Sequence, residues 1–461
     1  MLGINDANRK WWILIAMGAS LGLMLLDETV VGVALPTMQR DLNLNQTEAH
    51  WVVNAYLLVF AALAAAMGKL GDLIGLRRFF ILGLAVFAAT SLAAGFAQDE
   101  TWIIVARALQ GVGAAIVLPG SMAMLMLVFP PAQRGLAIGL YGTMGTVFLA
   151  CGPLLGGIFT DYASWRWIFW VNPAVVILIA VVVLAVWHDP GRDKQPFRFD
   201  VAGLVTLVAG LGMVVLGLMQ APDWGWSDPA VYTLIAAGIA SLVVFVLVEF
   251  RIRAPLIEID LFANRTLAAA NLVIFTGQFT KTAVFIMLAL YFQQVLGMSA
   301  IDAGLALLWA VLPQSVVSFL SGPITDRFGE RLPSLCGLGA VLISFVWIAV
   351  AADGSGLGIL VPGLILLGLF QSVLFVAPMR AVANALPDEK QGQAGGIMLT
   401  GQLLGGTMGM TILGMLLVMT GDFHIVFGAT AGMTLVTLLV AWTWFQRGGS
   451  SAPIESTVGE G

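Results

Sequence analysis

Long apolar runs are the feature that most constrains this chain. Each run is about 20 residues long, the length that crosses a bilayer as a helix, and short gaps with polar residues, Gly or Pro separate the runs. Hydrophobic residues make up 59% of the chain and charged residues only 10%, against about 25% charged in ordinary globular proteins. A soluble fold cannot bury this much apolar surface, so we predict an all-α integral membrane protein.

Fourteen transmembrane spans are predicted in a 6 + 2 + 6 arrangement. Residues 1–190 and 263–447 each form a six-span half, residues 191–262 hold two inserted spans, and residues 448–461 form a disordered tail. The predicted spans are 12–35, 50–69, 79–98, 102–128, 135–160, 166–187, 200–219, 231–250, 267–293, 302–323, 334–352, 356–378, 393–417 and 423–445.

The Lys and Arg residues give the orientation of these spans. With fourteen spans, 17 of the 21 basic residues fall on the side of the N-terminus and only Arg40 and Arg166 on the other. The remaining two, Arg107 and Lys281, lie within spans. Because cytoplasmic loops carry the excess of Lys and Arg, we expect both termini in the cytoplasm.

One loop sequence occurs twice, after span 2 and after span 10. Residues 68–78 read GKLGDLIGLRR and residues 322–331 read GPITDRFGER, about 254 positions apart. Parallel halves of this kind are typical of secondary transporters. The loops either form latches that release when the halves move, or are ordinary basic turns. The candidate gating residues are Gly68, Asp72, Gly75, Arg77, Arg78, Asp326, Arg327, Gly329 and Arg331.

Several motifs together resemble the major facilitator superfamily, and within it the fourteen-spanner drug:proton antiporter family. They are LDETVVGVALP at 26–36, the loop at 68–78, RALQGVGAA at 107–115, GPLLGG at 152–157 and WRWIFWVNP at 165–173. The resemblance covers roughly residues 12–445. It implies a bacterial inner-membrane exporter with alternating access, and it places the antiporter motif at Gly152, Pro153, Gly156 and Gly157.

The chain departs from the family pattern at five positions. Gly32 stands where the family has Asn, and Glu28 adds an acid that the family rarely has. Phe148 replaces the first Gly of the antiporter motif, while Leu73 and Leu76 replace basic residues in the first loop. The first two changes concern the substrate pocket, and the others concern gating and coupling.

Four ionisable residues lie inside predicted spans, where a charge costs at least about 2.5–3.5 kcal/mol and usually marks a functional site. Asp27 lies about 14 Å and Lys281 about 18 Å from the outer ends of equivalent spans. We expect Asp27 and Glu28 to exchange the coupling proton and to bind substrate. Lys281 either pairs with one of these acids or binds an anionic or zwitterionic substrate group. By resemblance Arg107 takes part in proton transfer; otherwise it extends to the interface.

Other polar and aromatic residues within spans give weaker signals. The amides either hydrogen-bond substrate or join helices to one another, and the aromatic rings either line a drug pocket or pack against neighbours and lipid. These further substrate-binding candidates are Tyr56, Gln110, Gln278, Trp309, Gln314 and Phe370.

The sequence favours a proton-coupled multidrug efflux antiporter for amphipathic small molecules. The alternative is a dedicated exporter or importer of one anionic, zwitterionic or lipid-like metabolite. A membrane enzyme is disfavoured because the three histidines fall at separate span ends, and a channel needs no doubled gating loop. We expect a monomer with no metal, cofactor or nucleic-acid partner. We expect the proton gradient to be its energy source, since the sequence contains no Walker pattern for binding ATP.

Overall fold

A computed structural model describes residues 8–188, 200–252, 259–298, 300–354 and 356–445. In these residues all regular secondary structure is helical. The helices are α1 (Arg9–Asp41), α2 (Gln46–Ile74), α3 (Leu76–Gly95), α4 (Glu100–Val128), α5 (Arg134–Tyr162), α6 (Trp167–Trp170), α7 (Asn172–Val186), α8 (Val201–Trp224), α9 (Pro229–Glu249), α10 (Arg265–Thr282), α11 (Ala289–Gln294), α12 (Ala300–Phe328), α13 (Arg331–Ala351), α14 (Leu357–Gln371), α15 (Val373–Ala385), α16 (Gln391–Thr420) and α17 (Phe423–Trp444).

A helix lies at each of the fourteen predicted positions, which makes the chain a multi-pass membrane protein. Twelve helices of the described residues are long and apolar enough to cross a membrane, or thirteen if α2, bent by 57°, counts as one span. Helix α5 fills the remaining position without being among them, so the count of fourteen spans stays a prediction.

Two compact units divide the chain. The first contains residues 1–130, 140–258 and 388–400, and the second contains residues 131–139, 259–387 and 401–461. The two inserted helices, α8 and α9, therefore belong to the first unit. Each unit also includes the first turns of a long helix whose remainder belongs to the other unit: α16 for the first and α5 for the second.

Glycines set the turns of both repeated loops. Gly75, between α2 and α3, has φ +106°, and Gly329, between α12 and α13, has φ +74°. A side chain rarely adopts such angles, so only glycine permits these tight turns without strain.

Small residues also bring the inserted helices together. A Cβ at Gly210 of α8 would lie 3.1 Å from the carbonyl oxygen of Gly238 in α9, and a Cβ at Gly238 would lie 2.9 Å from the carbonyl oxygen of Gly210. Lipid tails are as apolar as the helix surfaces, so the hydrophobic effect does not drive membrane helices together. Close backbone packing of this kind holds them together instead.

Candidate functional site

The site in the first unit is built around a fully buried ion pair between α1 and α4. Arg107 Nη1 donates to Asp27 Oδ2 at 2.6 Å, and neither side chain is exposed. Gln110 Nε2 and Asn172 Nδ2 donate to Asp27 Oδ1 at 3.0 and 2.9 Å. Asn172 also donates to the hydroxyl of Ser91 at 3.0 Å. We call these five residues the Asp27 cluster.

The local sequence of α4 places Arg107 against α2. A Cβ at Gly111, one turn after Arg107, would lie 2.5 Å from the carbonyl oxygen of Tyr56, so only glycine allows this approach. The Arg107 guanidinium then lies 4.5 Å from the centre of the Tyr56 ring, and its Nε donates to the Val52 carbonyl at 3.0 Å. Among the described residues Arg107 Nη2 has no hydrogen-bond partner. The alternative prediction was that the Arg107 side chain extends to the membrane interface. The fully buried position of this side chain disagrees with that alternative.

The two neighbouring acids of α1 have different surroundings. Asp27 is only 2% exposed, whereas Glu28 is half-buried. One turn after Glu28, Gly32 is exposed, and a Cβ there would meet no atom within 4 Å. Adjacent helical residues point about 100° apart, which explains the division. Asp27 is thus enclosed by helices, whereas Glu28 shares the open face of α1 with Gly32.

Lys281 belongs to the second unit and is the penultimate residue of α10, which ends at Thr282 directly before a π-helical turn, Ala283–Leu288. Such turns in a helix are rare and frequent at functional sites. Lys281 and Gln278 are half-buried, and the hydroxyl of Thr282 donates to the carbonyl oxygen of Gln278 at 3.1 Å. The substrate role of Lys281 stays a prediction.

The remaining substrate-binding candidates of the second unit lie on α12 and α14. Trp309 is 48% exposed, which in a membrane helix agrees with lipid contact as well as with ligand contact. Gln314 and Phe370 are half-buried, and the carbonyl oxygen of Gln314 accepts a hydrogen bond from Ser372 at 2.8 Å. Nothing in their contacts brings these three residues to one point.

The Asp of the first loop caps the N-terminus of α16. Asp72 Oδ1 accepts from the N–H of Gly392 at 3.0 Å, and its Oδ2 accepts from the N–H of Gln393 at 2.8 Å. Gly68 allows this contact, because a Cβ there would collide with the carbonyl oxygen of Gly392. The first N–H groups of a helix have no partner within it and carry partial positive charge, so a carboxylate stabilises them. We call this the first latch.

The second latch repeats the same contact at the N-terminus of α5. Asp326 accepts from the N–H groups of Gly135 and Leu136, both at 2.9 Å. Asp72 and Asp326 are 254 positions apart, and the helix starts Gly135 and Gly392 are 257 apart. The predicted equivalence of the two loops thus extends to their bonding partners.

Charged side chains reinforce the second latch. Arg380 Nε lies 3.2 Å from Asp326 Oδ1, and Arg380 Nη1 lies 3.3 Å from Glu330 Oε1. Asn384 donates to Glu330 at 2.9 Å, and Arg134 donates to the Asn384 side chain at 3.0 Å.

The loop arginines bind backbone rather than acids in these contacts. Arg77 Nη2 donates to the carbonyl oxygen of Leu184 at the end of α7 at 2.8 Å, and Arg331 Nη2 donates to that of Trp442 at the end of α17 at 3.1 Å. Arginine near a helix C-terminus stabilises its unpaired carbonyls. Each loop is therefore fixed to two helix ends. Arg78 and Arg327 are exposed.

The altered antiporter motif packs α5 against α1. A Cβ at Gly22 would lie 2.6 Å from the Phe148 ring, so the small residue on α1 accommodates the large one on α5. Gly152 meets Thr29 so closely that a Cβ there would overlap its hydroxyl. Gly157 has no atom within 4 Å of a Cβ position, Gly156 is buried, and the side chain of Pro153 lies outside the described residues.

An exposed ion pair lies where α1 and the start of α6 meet. Arg166 Nη1 donates to Asp41 Oδ2 at 2.6 Å, with side-chain exposures of 27% and 48%, and Trp165 Nε1 donates to the same oxygen at 2.9 Å. The hydrogen bonds from Arg166 and Trp165 lower the pKa of Asp41 below its ordinary value.

Sequence reasoning missed several residues of these sites. Asn172 stood in a quoted motif without a role, and Ser91, Arg380, Asn384 and Gln393 were assigned none. A buried amide or hydroxyl in an apolar span is a weak signal, since most serve as helix contacts. Only the three-dimensional convergence of separate spans distinguishes them.

Comparisons with known proteins agree with this fold. The family model of the Major Facilitator Superfamily matches residues 17–254 and 267–460. A tetracenomycin C resistance and export protein of Streptomyces glaucescens is 32% identical over 409 residues, which cover 89% of this chain and 76% of that protein. A puromycin resistance protein of Streptomyces alboniger is 34% identical over 413 residues, covering 88% and 81%.

A solved structure is similar over nearly the whole chain. The crystal structure of the human organic anion transporter MFSD10 superimposes with a TM-score of 0.71, covering 94% of this chain and 99% of that one, at 14% identity. At this identity the likeness concerns the fold alone.

Proposed function

Because the chain belongs to the Major Facilitator Superfamily, whose members are transporters and not enzymes, we propose that it exports amphipathic small molecules in exchange for protons. Relatives named for antibiotic resistance and export support the direction and the substrate class. The observation that carries proton coupling is the 2.6 Å pair between Asp27 and Arg107, enclosed by protein on all sides.

A buried pair of this kind links protonation to structure. Ionised Asp27 satisfies Arg107, Gln110 and Asn172 at once. A proton on Asp27 removes its charge and leaves Arg107 buried without a counter-charge, which is strongly unfavourable. The cluster then rearranges, and α1, α3, α4 and α7 change their packing.

Alternating access is assigned to the two latches. Asp72 and Asp326 hold helix N-termini through hydrogen bonds from backbone N–H groups, and in this proposal these bonds break and re-form as the helices move. In this proposal both termini lie in the cytoplasm, on the distribution of Lys and Arg, and the chain lies in the cytoplasmic membrane of a bacterium, on its similarity to bacterial relatives. The proton gradient is the energy source in this proposal, with no cofactor.

The test uses purified protein in liposomes with a pH-sensitive dye inside. Substrate added to wild type should move protons, and Asp27→Asn should abolish that movement, because the amide cannot exchange a proton. Asp41→Asn is the matched control, the same change on the same helix outside the cluster, and should leave proton movement intact. Persistent proton movement in Asp27→Asn would remove Asp27 from the coupling.

A second candidate is a dedicated transporter of an anionic, zwitterionic or lipid-like metabolite. The half-buried Lys281 favours it, since an ammonium group within a span attracts negative charge. Transport of cationic and anionic dyes should be compared in Lys281→Ala and wild type. Collapse of anion export with unchanged cation export would decide for this second candidate.

A further inference from the structure

The first latch contains a side chain that its position does not satisfy. Gln393 donates its backbone N–H to Asp72 and is only 1% exposed. Among the described residues neither its amide oxygen nor its amide nitrogen has a hydrogen-bond partner. Exchanging the positions of the amide oxygen and nitrogen does not supply a hydrogen bond, since both atoms lack a partner. A buried polar group without partners destabilises the arrangement that buries it, by roughly tenfold or more in an equilibrium constant.

The internal repeat shows what another residue does at this position. Gln393 is 257 positions after Leu136, whose N–H makes the same bond to Asp326 in the second latch. The second latch thus combines this backbone bond with an apolar side chain. The polar side chains that reinforce the second latch are not repeated in the first latch either. At the same spacing of 257 residues, Arg380 corresponds to Ala123 and Asn384 to Leu127.

We infer that Gln393 is a release element of the first latch, a residue that weakens the bond between Asp72 and α16 so that the latch opens in each transport cycle. In the latched state the Gln393 amide is buried and has no hydrogen-bond partner among the described residues. When the N-terminus of α16 leaves Asp72, water reaches the amide and satisfies it. The free-energy difference between the two states therefore shifts toward release. This inference rests on the proposed function only for its link to transport.

A cysteine on α4, one turn from its contact with α16, is chosen to report release. Pro119 of α4 lies against Gly395 of α16, where a Cβ would be 2.7 Å from the Pro119 carbonyl oxygen. Ala123, one turn further along α4, is fully buried. In a background with Cys151→Ser and Cys336→Ser, the alkylation rate of Ala123→Cys by N-ethylmaleimide reports how often the site opens.

Gln393→Leu, the residue of the second latch, should lower this alkylation rate about tenfold, because the unsatisfied amide is gone. Gln393→Met, which keeps the length of the side chain, should do the same and serves if the leucine variant fails to fold. Gln402→Leu makes the same change on the same helix away from the latch and should leave the rate unchanged.

An unchanged or faster alkylation in both Gln393 variants would overturn the inference, since it would mean that the amide is neutral or stabilises the latch. The assay needs neither substrate nor a proton gradient, so it is independent of the proposed function. Slower alkylation together with no substrate-driven proton movement in wild type would support the release element and reject the proton-coupled exporter. In liposomes that transport, Gln393→Leu should reduce turnover about as much as alkylation.

Discussion

Replacing both members of the Asp27–Arg107 pair should be far less damaging than replacing one. Each single variant, Asp27→Asn or Arg107→Gln, leaves a buried charge without its partner, which costs about 3–5 kcal/mol. The double variant retains two neutral amides that can bond to each other. It still loses the contact of the guanidinium with the Tyr56 ring, 4.5 Å away, worth about 2 kcal/mol in a buried setting. We therefore expect a coupling energy of about 3 kcal/mol or more.

The assay is a double-mutant cycle on the free energy of unfolding, measured by denaturant titration of the purified protein in detergent. The chain contains its own control, the Asp41–Arg166 pair, which has the same 2.6 Å separation but exposed side chains. Exposed pairs contribute about 0.2–1 kcal/mol, so the cycle of Asp41→Asn with Arg166→Gln should give a coupling energy in that range. Equal coupling energies in the two cycles would refute the reasoning, because the larger coupling is attributed to burial of the Asp27–Arg107 pair.

Three further predictions follow from local contacts. The pKa of Asp41 is lowered in the folded state, so its ion pair stabilises the protein above about pH 4. This stabilisation is lost as the pH falls through the lowered pKa. When the free energy of unfolding is measured from pH 6 to pH 3, Asp41→Asn should therefore lose less stability in acid than wild type. Gly22→Leu should destabilise by about 1–3 kcal/mol through overlap with Phe148, and Phe148→Ala should restore most of it in the double variant. Gly405→Ala should lower the melting temperature, since its Cβ would overlap backbone of α10, whereas Gly414→Ala on the same helix, with open space, should not.

Most of the fold was predictable because apolar length reports membrane helices almost directly. The helix bounds were less predictable: α1 continues to Asp41, six residues past the predicted span end at 35. Hydropathy ends where the apolar residues end, but a helix continues as long as its backbone bonds are made. The π-helical turn after Lys281 had no sequence signal.

The site was predictable as a set of residues and not as an arrangement. Asp27, Arg107 and Gln110 were each identifiable as polar groups in spans, where each costs free energy. Their bonding was not, because Asp27 is 80 positions from Arg107 and 145 from Asn172. The sequence also suggested Asp27 for direct substrate contact, whereas the structure encloses it and leaves Glu28 on the open face.

The two repeats share a backbone design and differ in their charges, and the difference has a mechanical consequence. At the 254-residue spacing of the latch aspartates Asp27 corresponds to Lys281, and at the 257-residue spacing of the helix starts Arg107 corresponds to Leu364. At these corresponding positions, only the first repeat therefore has an acid and an arginine that form an ion pair. Conversely the second latch has the arginine that the first copy replaces with Ala123. Two equal latches would resist release equally, whereas under the proposed mechanism the unequal ones place the lower barrier at Asp72, within the same unit as the Asp27 cluster. In the proposed mechanism, a proton on Asp27 needs to affect only the weaker contact to start the transport cycle.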